Sequence, residues 1–92
     1  MKITIRYLAQ LKLAAGVGSE TVEMAAPSSI RDLLVLVTRQ RGEALRKMLL
    51  DSEGRVHPTI LVFVGDEQVD ADLRAELNEG AMVTLLSPIA GG

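Results

Sequence analysis

The sequence predicts a small α+β domain, in which one main helix covers one face of a mixed β-sheet of four to five strands. Polar and apolar residues alternate from Lys2 to Tyr7, as in a strand with one buried face. Apolar residues recur at helical spacing from Ile30 to Val37, and every residue from Ile60 to Val64 is apolar. The 92 residues suffice for one such domain and are too few for two.

The N-terminal segment predicts a β-hairpin. Its first strand runs from Lys2 to Tyr7, and the residues from Ala15 to Ser19 include two glycines that favour a turn. Alternation resumes from Glu20 to Met24, with the apolar residues on one side. Two strands joined in this way pair with each other.

The middle segment predicts the main helix. Ser28 or Ser29 follows Pro27 and can cap a helix, and Asp32 lies in its first turn, where a negative charge is favourable. The helix is interrupted at Gly42. A shorter helical piece from 43 to 50 and a turn from 51 to 54 follow.

The C-terminal half predicts the rest of the sheet. The apolar residues 60–64 form an interior strand, residues 65–68 a turn, residues 69–77 a short strand or irregular loop, and residues 82–86 the last strand. This element order is that of the β-grasp, or ubiquitin-like, fold. We therefore expect a β-grasp domain over residues 1–86 and a flexible tail over residues 87–92, because Pro88 removes a backbone donor and glycines favour disorder at a terminus.

The composition argues against several classes of partner. Ten Lys and Arg against twelve Asp and Glu give a net charge of −2, so the chain has no electrostatic reason to bind nucleic acid or an anionic membrane. No apolar run is long enough to cross a bilayer, and the N-terminus does not resemble a signal peptide. The absence of cysteine fits a reducing compartment, so we expect a cytoplasmic protein with neither nucleic acid nor membrane as partner.

Catalytic and metal-binding residues are scarce. The chain has one histidine, His57, which lies beside Pro58 and is expected to order a loop. It has no cysteine nucleophile, and its carboxylates are scattered through turns. We therefore expect no catalytic residue and no metal site in this chain.

The C-terminus carries the strongest functional signal. Pro88, Ile89 and Ala90 lead to Gly91 and Gly92, and two residues without Cβ atoms can enter a channel that excludes larger side chains. The reactive group is then the α-carboxylate of Gly92, which is ionised at neutral pH. When a partner supplies metal and positive charge, this carboxylate can attack the α-phosphate of ATP and form an acyl adenylate.

Three segments extend these observations over the whole chain, namely KITIRYLAQL, GRVHPTILVFVGDEQV and LNEGAMVTLLSPIAGG. With them the chain resembles the MoaD/ThiS family of ubiquitin-like sulfur-carrier proteins. The resemblance implies that a ubiquitin-activating-type adenylyltransferase adenylates Gly92, and that sulfide or a persulfide displaces AMP to leave a thiocarboxylate. The thiocarboxylate would donate sulfur to a biosynthetic enzyme, in a cysteine, cofactor or secondary-metabolite pathway.

The same resemblance implies that the chain is a carrier and not an enzyme. It would bind no permanent cofactor, while the partner enzyme would use ATP and a sulfur donor. Because the chain lacks cysteine, the sulfur must come from outside and reside only at Gly92. Gly91 would give clearance for threading, and residues 88–90 would form the tail.

Two alternatives stay open at this point. The chain could be the small subunit of molybdopterin synthase, although its Ser87-Pro88 lacks the aromatic residue and double proline common there. It could also be a ubiquitin-like modifier that is conjugated to lysine through Gly92. The segment 51–58 is more similar to family members that serve cysteine or secondary-metabolite pathways.

Alternation also predicts a partner-binding surface. If every second residue of the strand at 60–64 faces the helix, Leu61 and Phe63 point to the opposite side of the sheet, together with Met82 and Leu86. No second helix is predicted to cover them. Exposed apolar patches of this kind mark interaction sites, and a crossing loop or a homodimer is the competing explanation.

Overall fold

The computed structural model describes residues 1–69 and 75–87. Within these ranges the backbone forms five strands, which make one sheet, and three helices. None of these helices has the length and apolar content that a membrane crossing requires. In chain order the elements are β1 (Lys2–Leu8), α1 (Gln10–Ala15), β2 (Ser19–Glu23), α2 (Ile30–Arg41), α3 (Glu43–Leu49), β3 (Leu61–Val64), β4 (Glu67–Val69) and β5 (Met82–Leu86).

The sheet is mixed, with the strand order β2-β1-β5-β3-β4. β1 and β2 form one antiparallel hairpin, and β3 and β4 form a second. The last strand lies between the hairpins, parallel to β1 and antiparallel to β3. With one main helix added, this is the predicted β-grasp arrangement.

The main helix, α2, begins as its sequence predicts. The backbone N–H of Asp32 donates to Oγ of Ser29 over 3.2 Å, and the backbone N–H of Ser29 donates to Oδ2 of Asp32 over 2.9 Å. This reciprocal pair is a capping box, which satisfies two backbone donors that the first helical turn leaves unpaired. One face of α2 and the inner face of the sheet share a single core, to which the helix contributes Ile30, Leu33, Leu34 and Val37 and the sheet Ile3, Ile5, Tyr7, Val22, Val62, Val83 and Leu85.

One helix, α1, is not predicted by the sequence pattern. α1 occupies six residues directly after β1, and only Leu11 and Ala15 in it are buried. So short a segment repeats the helical spacing only once, which is too little for periodicity to detect. Ala9, with φ of 53°, turns the chain into this helix, and Gly16, with φ of 82°, ends it in the left-handed conformation that favours glycine.

The turn predicted over residues 65–68 is shorter in the structure. Val64 pairs with Glu67, so the loop between them contains two residues. Gly65 has φ of 60°, and this left-handed conformation lets a two-residue loop reverse the chain. Residues 67–69 then form β4, whose polar sequence suits an edge strand.

Candidate functional site

The C-terminal tail starts from the centre of the sheet. Leu86, the last residue of β5, pairs with Leu8 of β1 on one side and with Leu61 of β3 on the other. Leu86 and Ser87 form the tail root, and both are half-buried. Backbone pairing with a strand on each side therefore fixes the position of Leu86.

The five residues predicted to form the reactive tail lie outside the described residues. They are Pro88, Ile89, Ala90, Gly91 and Gly92. Their roles in threading, adenylation and thiocarboxylate formation stay predictions that depend on the sequence. The structure places the tail root, Leu86 and Ser87, which are the last described residues before them.

The four residues of the predicted partner surface lie on the side of the sheet opposite α2. In β5 the side chains of Val83 and Leu85 enter the core, so those between and beside them point outward. Leu86 and its β3 partner Leu61 are half-buried, as is Phe63, and Met82 is 42% exposed. We call this side of the sheet the outer face.

The register adds residues that the sequence prediction omitted. Leu8 extends β1 one residue beyond the predicted strand and lies next to Leu86, so three leucines form a row across β1, β5 and β3. The row behind it contains Arg6, Thr84 and Phe63. Continued alternation from Lys2 is the sequence signal that could have placed Leu8 on this face.

One further apolar side chain is exposed in the helix that follows the C-terminal end of β1. Leu13 of α1 is 76% exposed, and α1 begins two residues after Leu8, which pairs with the tail root. A leucine this open stabilises the fold very little, because it buries almost no apolar surface. No sequence signal assigned it to the core or to the predicted surface.

The described residues include one loop histidine and no cluster of metal-ligating side chains. Within residues 1–69 and 75–87, no three His, Cys, Asp or Glu side chains come together as metal ligands. His57 Nε2 lies 3.1 Å from the carbonyl oxygen of Lys47, which ties the loop before β3 to α3. A groove of about 450 Å³ between α2 and α3, on the helix side of the molecule, is lined by Val35, Thr38, Arg39, Glu43, Arg46 and Leu50.

A polar network lies beneath the β1–β2 hairpin, on the inner side of the sheet. The Tyr7 hydroxyl donates to Oε2 of Glu20 over 2.7 Å, and Arg41 of α2 donates two hydrogen bonds of 2.9 Å to the same carboxylate. The hydrogen bond from Arg41 lowers the pKa of Glu20, while burial raises the pKa of the Tyr7 phenol above its ordinary range. The network joins the hairpin to the end of α2. Its three residues do not belong to the outer face.

The comparisons with known proteins agree with this geometry. The sequence profile of the ThiS family matches residues 5–92. No curated protein is similar to the chain in sequence at a significant level.

Solved structures with the same fold cover nearly the whole chain. SAMP1 from Haloferax volcanii has a TM-score of 0.90 at 21% identity over 100% of both chains. The BexX/CysO complex from Amycolatopsis orientalis contains a chain with a TM-score of 0.70 at 28% identity, covering 98% of this chain and 99% of that one. The complex of subunits 1 and 2 of molybdopterin-converting factor from Helicobacter pylori 26695 contains one with a TM-score of 0.65 at 20% identity over 100% of both.

The predicted fold is thereby confirmed as β-grasp. Members of the matching family are carriers that partner enzymes activate and not catalysts themselves. Since the family profile spans residues 5–92 and the sheet has the β-grasp order, the chain belongs to the ThiS family, within the MoaD/ThiS group of ubiquitin-like sulfur carriers.

Proposed function

We propose that this chain carries sulfur as a thiocarboxylate on Gly92, which a partner enzyme first activates with ATP. The observation that carries the proposal is the pair Gly91-Gly92, of which Gly92 lies six residues beyond the end of the central strand of a ThiS-family domain. Residues 87–92 can span at most about 20 Å when extended. That length is enough for the chain end to enter an active site while the globular domain stays outside it.

The proposed chemistry has two steps. A carboxylate oxygen of Gly92 attacks the α-phosphorus of ATP, the bond to the pyrophosphate leaving group breaks, and the acyl adenylate forms. Hydrosulfide, or the terminal sulfur of a persulfide, then attacks the acyl carbon and AMP leaves with the electron pair of the broken bond. A persulfide-derived product needs a thiol to reduce its S–S bond before the thiocarboxylate is free.

The outer face is the proposed docking surface for the activating enzyme. It adjoins the tail root, and it presents Leu61, Phe63, Met82 and Leu86 on the side that α2 does not cover. Because Leu86 belongs both to the tail root and to the outer face, a partner that binds the tail there would also contact the neighbouring side chains of this face. The BexX/CysO complex and the molybdopterin-converting factor complex are assemblies of related proteins with a second protein, which supports a partner-dependent role.

Intact-mass spectrometry tests the proposed activity. The chain is incubated with ATP, sulfide and each ubiquitin-activating-type adenylyltransferase of the source organism, purified separately. Attack by a sulfur anion replaces one oxygen of the Gly92 carboxylate by the heavier sulfur, which raises the mass by about 16 Da. An unchanged mass with every one of these enzymes contradicts the proposal.

Two further experiments separate the alternatives. In a modifier, the Gly92 acyl group would pass from the adenylate to a lysine amine with release of AMP. Conjugates of higher mass in a cell extract would therefore favour that function. A subunit of molybdopterin synthase would co-purify stably with a larger subunit, as the complex from Helicobacter pylori illustrates for its own chains. The missing aromatic and double proline around Ser87-Pro88 make this second alternative the weaker one.

A further inference from the structure

Arg6 is an exposed cation on the outer face with no negative charge opposite it in the sheet. Its partner in β2 is Ser19, and its partner in β5 is Thr84. Arg6 forms no ion pair with the part of the chain that the structure describes, residues 1–69 and 75–87. Among the described residues, the guanidinium therefore has no carboxylate to balance its charge.

The register places Arg6 close to the tail root. Thr84 precedes Leu86 by two residues, so the Cα atoms of Arg6 and Leu86 are about 8 Å apart, from one strand spacing and two residues of rise. The row that contains Arg6 also contains Phe63. A protein that closes over the leucine row and the tail root must cover Arg6 as well.

Covering Arg6 has a consequence for the chemistry of the partner. A buried guanidinium is costly unless a hydrogen-bonded anion accompanies it, and the hydroxyls of Ser19 and Thr84 carry no charge. Among the described residues of the five strands, the outer face has a single carboxylate, Glu23, which lies opposite Lys2 and not Arg6. A carboxylate of the partner would supply the acceptor that no described residue of this chain provides.

We propose that Arg6 determines partner specificity by binding a carboxylate of the adenylyltransferase that loads Gly92. This assignment rests on the proposed function, in which adenylation precedes every later step and so selects the partner first. Two parallel hydrogen bonds from the guanidinium to an aspartate or glutamate would fix the orientation of the domain over the active site. An enzyme with a lysine or arginine at that position would be rejected.

Binding of Arg6→Gln and Arg6→Lys to the adenylyltransferase that modifies the wild-type chain tests the assignment, measured by titration calorimetry between 50 mM and 500 mM salt. Arg6→Gln should bind about 30-fold more weakly than wild type and lose most of the salt dependence, because the charge pair is gone. The affinity of Arg6→Lys should lie between those of the wild type and Arg6→Gln, since lysine keeps the charge but lacks the planar guanidinium with its paired donors. Arg39→Gln is the matched control, because α2 places Arg39 on the opposite side of the molecule.

Each other outcome overturns the assignment. Wild-type affinity of Arg6→Gln, or equal losses in Arg6→Gln and Arg39→Gln, would show that Arg6 has no specific acceptor. An effect seen only with the sulfur-accepting enzyme would assign Arg6 to a different partner. If no adenylyltransferase modifies the wild-type chain, the proposed function fails first; if the wild type is modified and Arg6→Gln is modified with the same KM, only the Arg6 assignment fails. Unchanged thermal unfolding of each variant excludes loss of fold as the cause.

Discussion

At the scale of single residues, the polar network beneath the β1–β2 hairpin shows how a buried phenol is accommodated. Tyr7 is fully buried, and its hydroxyl would be costly there without an acceptor. Glu20 supplies that acceptor, and Arg41 neutralises the carboxylate in turn. One ion pair between β2 and α2 thus allows an aromatic residue of β1 to lie in the core.

This network predicts a pH-dependent contribution to stability. Because hydrogen bonding to Arg41 lowers the pKa of Glu20 below its ordinary 4.5, the folded state binds the proton less readily than the unfolded state. The stabilisation is therefore present above pH 4.5 and lost as the pH falls through the lower folded pKa. Glu20→Gln should be less stable than wild type by about 1 kcal/mol at pH 7, a value reduced by the pair's partial exposure to solvent, and this difference should shrink on acidification.

Urea unfolding of wild type and Glu20→Gln between pH 7 and pH 3 measures this difference. Glu53→Gln is the control, because its ion pair with Arg55 is long, at 3.7 Å, and exposed. A Glu20→Gln difference that is the same at both ends of the pH range would contradict the account.

At the scale of secondary-structure elements, α2 depends on its capping box as well as on its apolar face. Ser29→Ala removes the acceptor for the backbone N–H of Asp32 and should destabilise the protein by about 1 kcal/mol. Chemical denaturation gives this value directly. Ser52→Ala, in the turn after α3, should change stability very little, and equal effects of the two substitutions would mean that the cap contributes nothing.

The elements that the sequence predicted well are those with a long periodic signal. β1, α2 and β5 each bury one face over several residues, so the spacing of their apolar residues reveals both type and orientation. α1 and β4 have six and three residues, and each is fixed by its neighbours in the fold and not by its own pattern. Short elements of this kind leave almost no periodicity to read.

The candidate site was predictable to the same extent. Alternation alone placed Leu61 and Phe63 on one face, as the strand register confirms, while the role of the terminal glycines as the reacting end stays a prediction. The proximity of Arg6 to the tail root was not predictable, because it follows from parallel pairing of β1 with β5, which are far apart in the chain. Long-range register requires a structure.

At the scale of the whole molecule, the proposed function assigns the chemistry to the chain end and partner binding to the outer face of the domain. The core lies between α2 and the inner face, and the outer face contributes apolar side chains that the core does not use. Substitution on the outer face should therefore weaken partner binding with little loss of stability. The arrangement suits a protein that other enzymes hold and modify.

Phe63→Ser tests that separation. Its affinity for the adenylyltransferase should fall by about 10-fold or more, because a half-buried aromatic side chain is a typical interface anchor. Val35→Ser is the matched control, since Val35 is also half-buried but lines the groove on the helix side. Unchanged affinity of a folded Phe63→Ser variant would remove the outer face as the docking surface.

ATP–pyrophosphate exchange catalysed by the adenylyltransferase tests most directly whether the carboxylate of Gly92 is the reacting group, because it reports adenylation before any sulfur is transferred. We compare the wild-type chain with one that carries a single alanine after Gly92. We predict that the wild type supports exchange and that the extended chain, which keeps the outer face for binding the enzyme, supports at least about 100-fold less. Equal exchange rates for the two chains would contradict it.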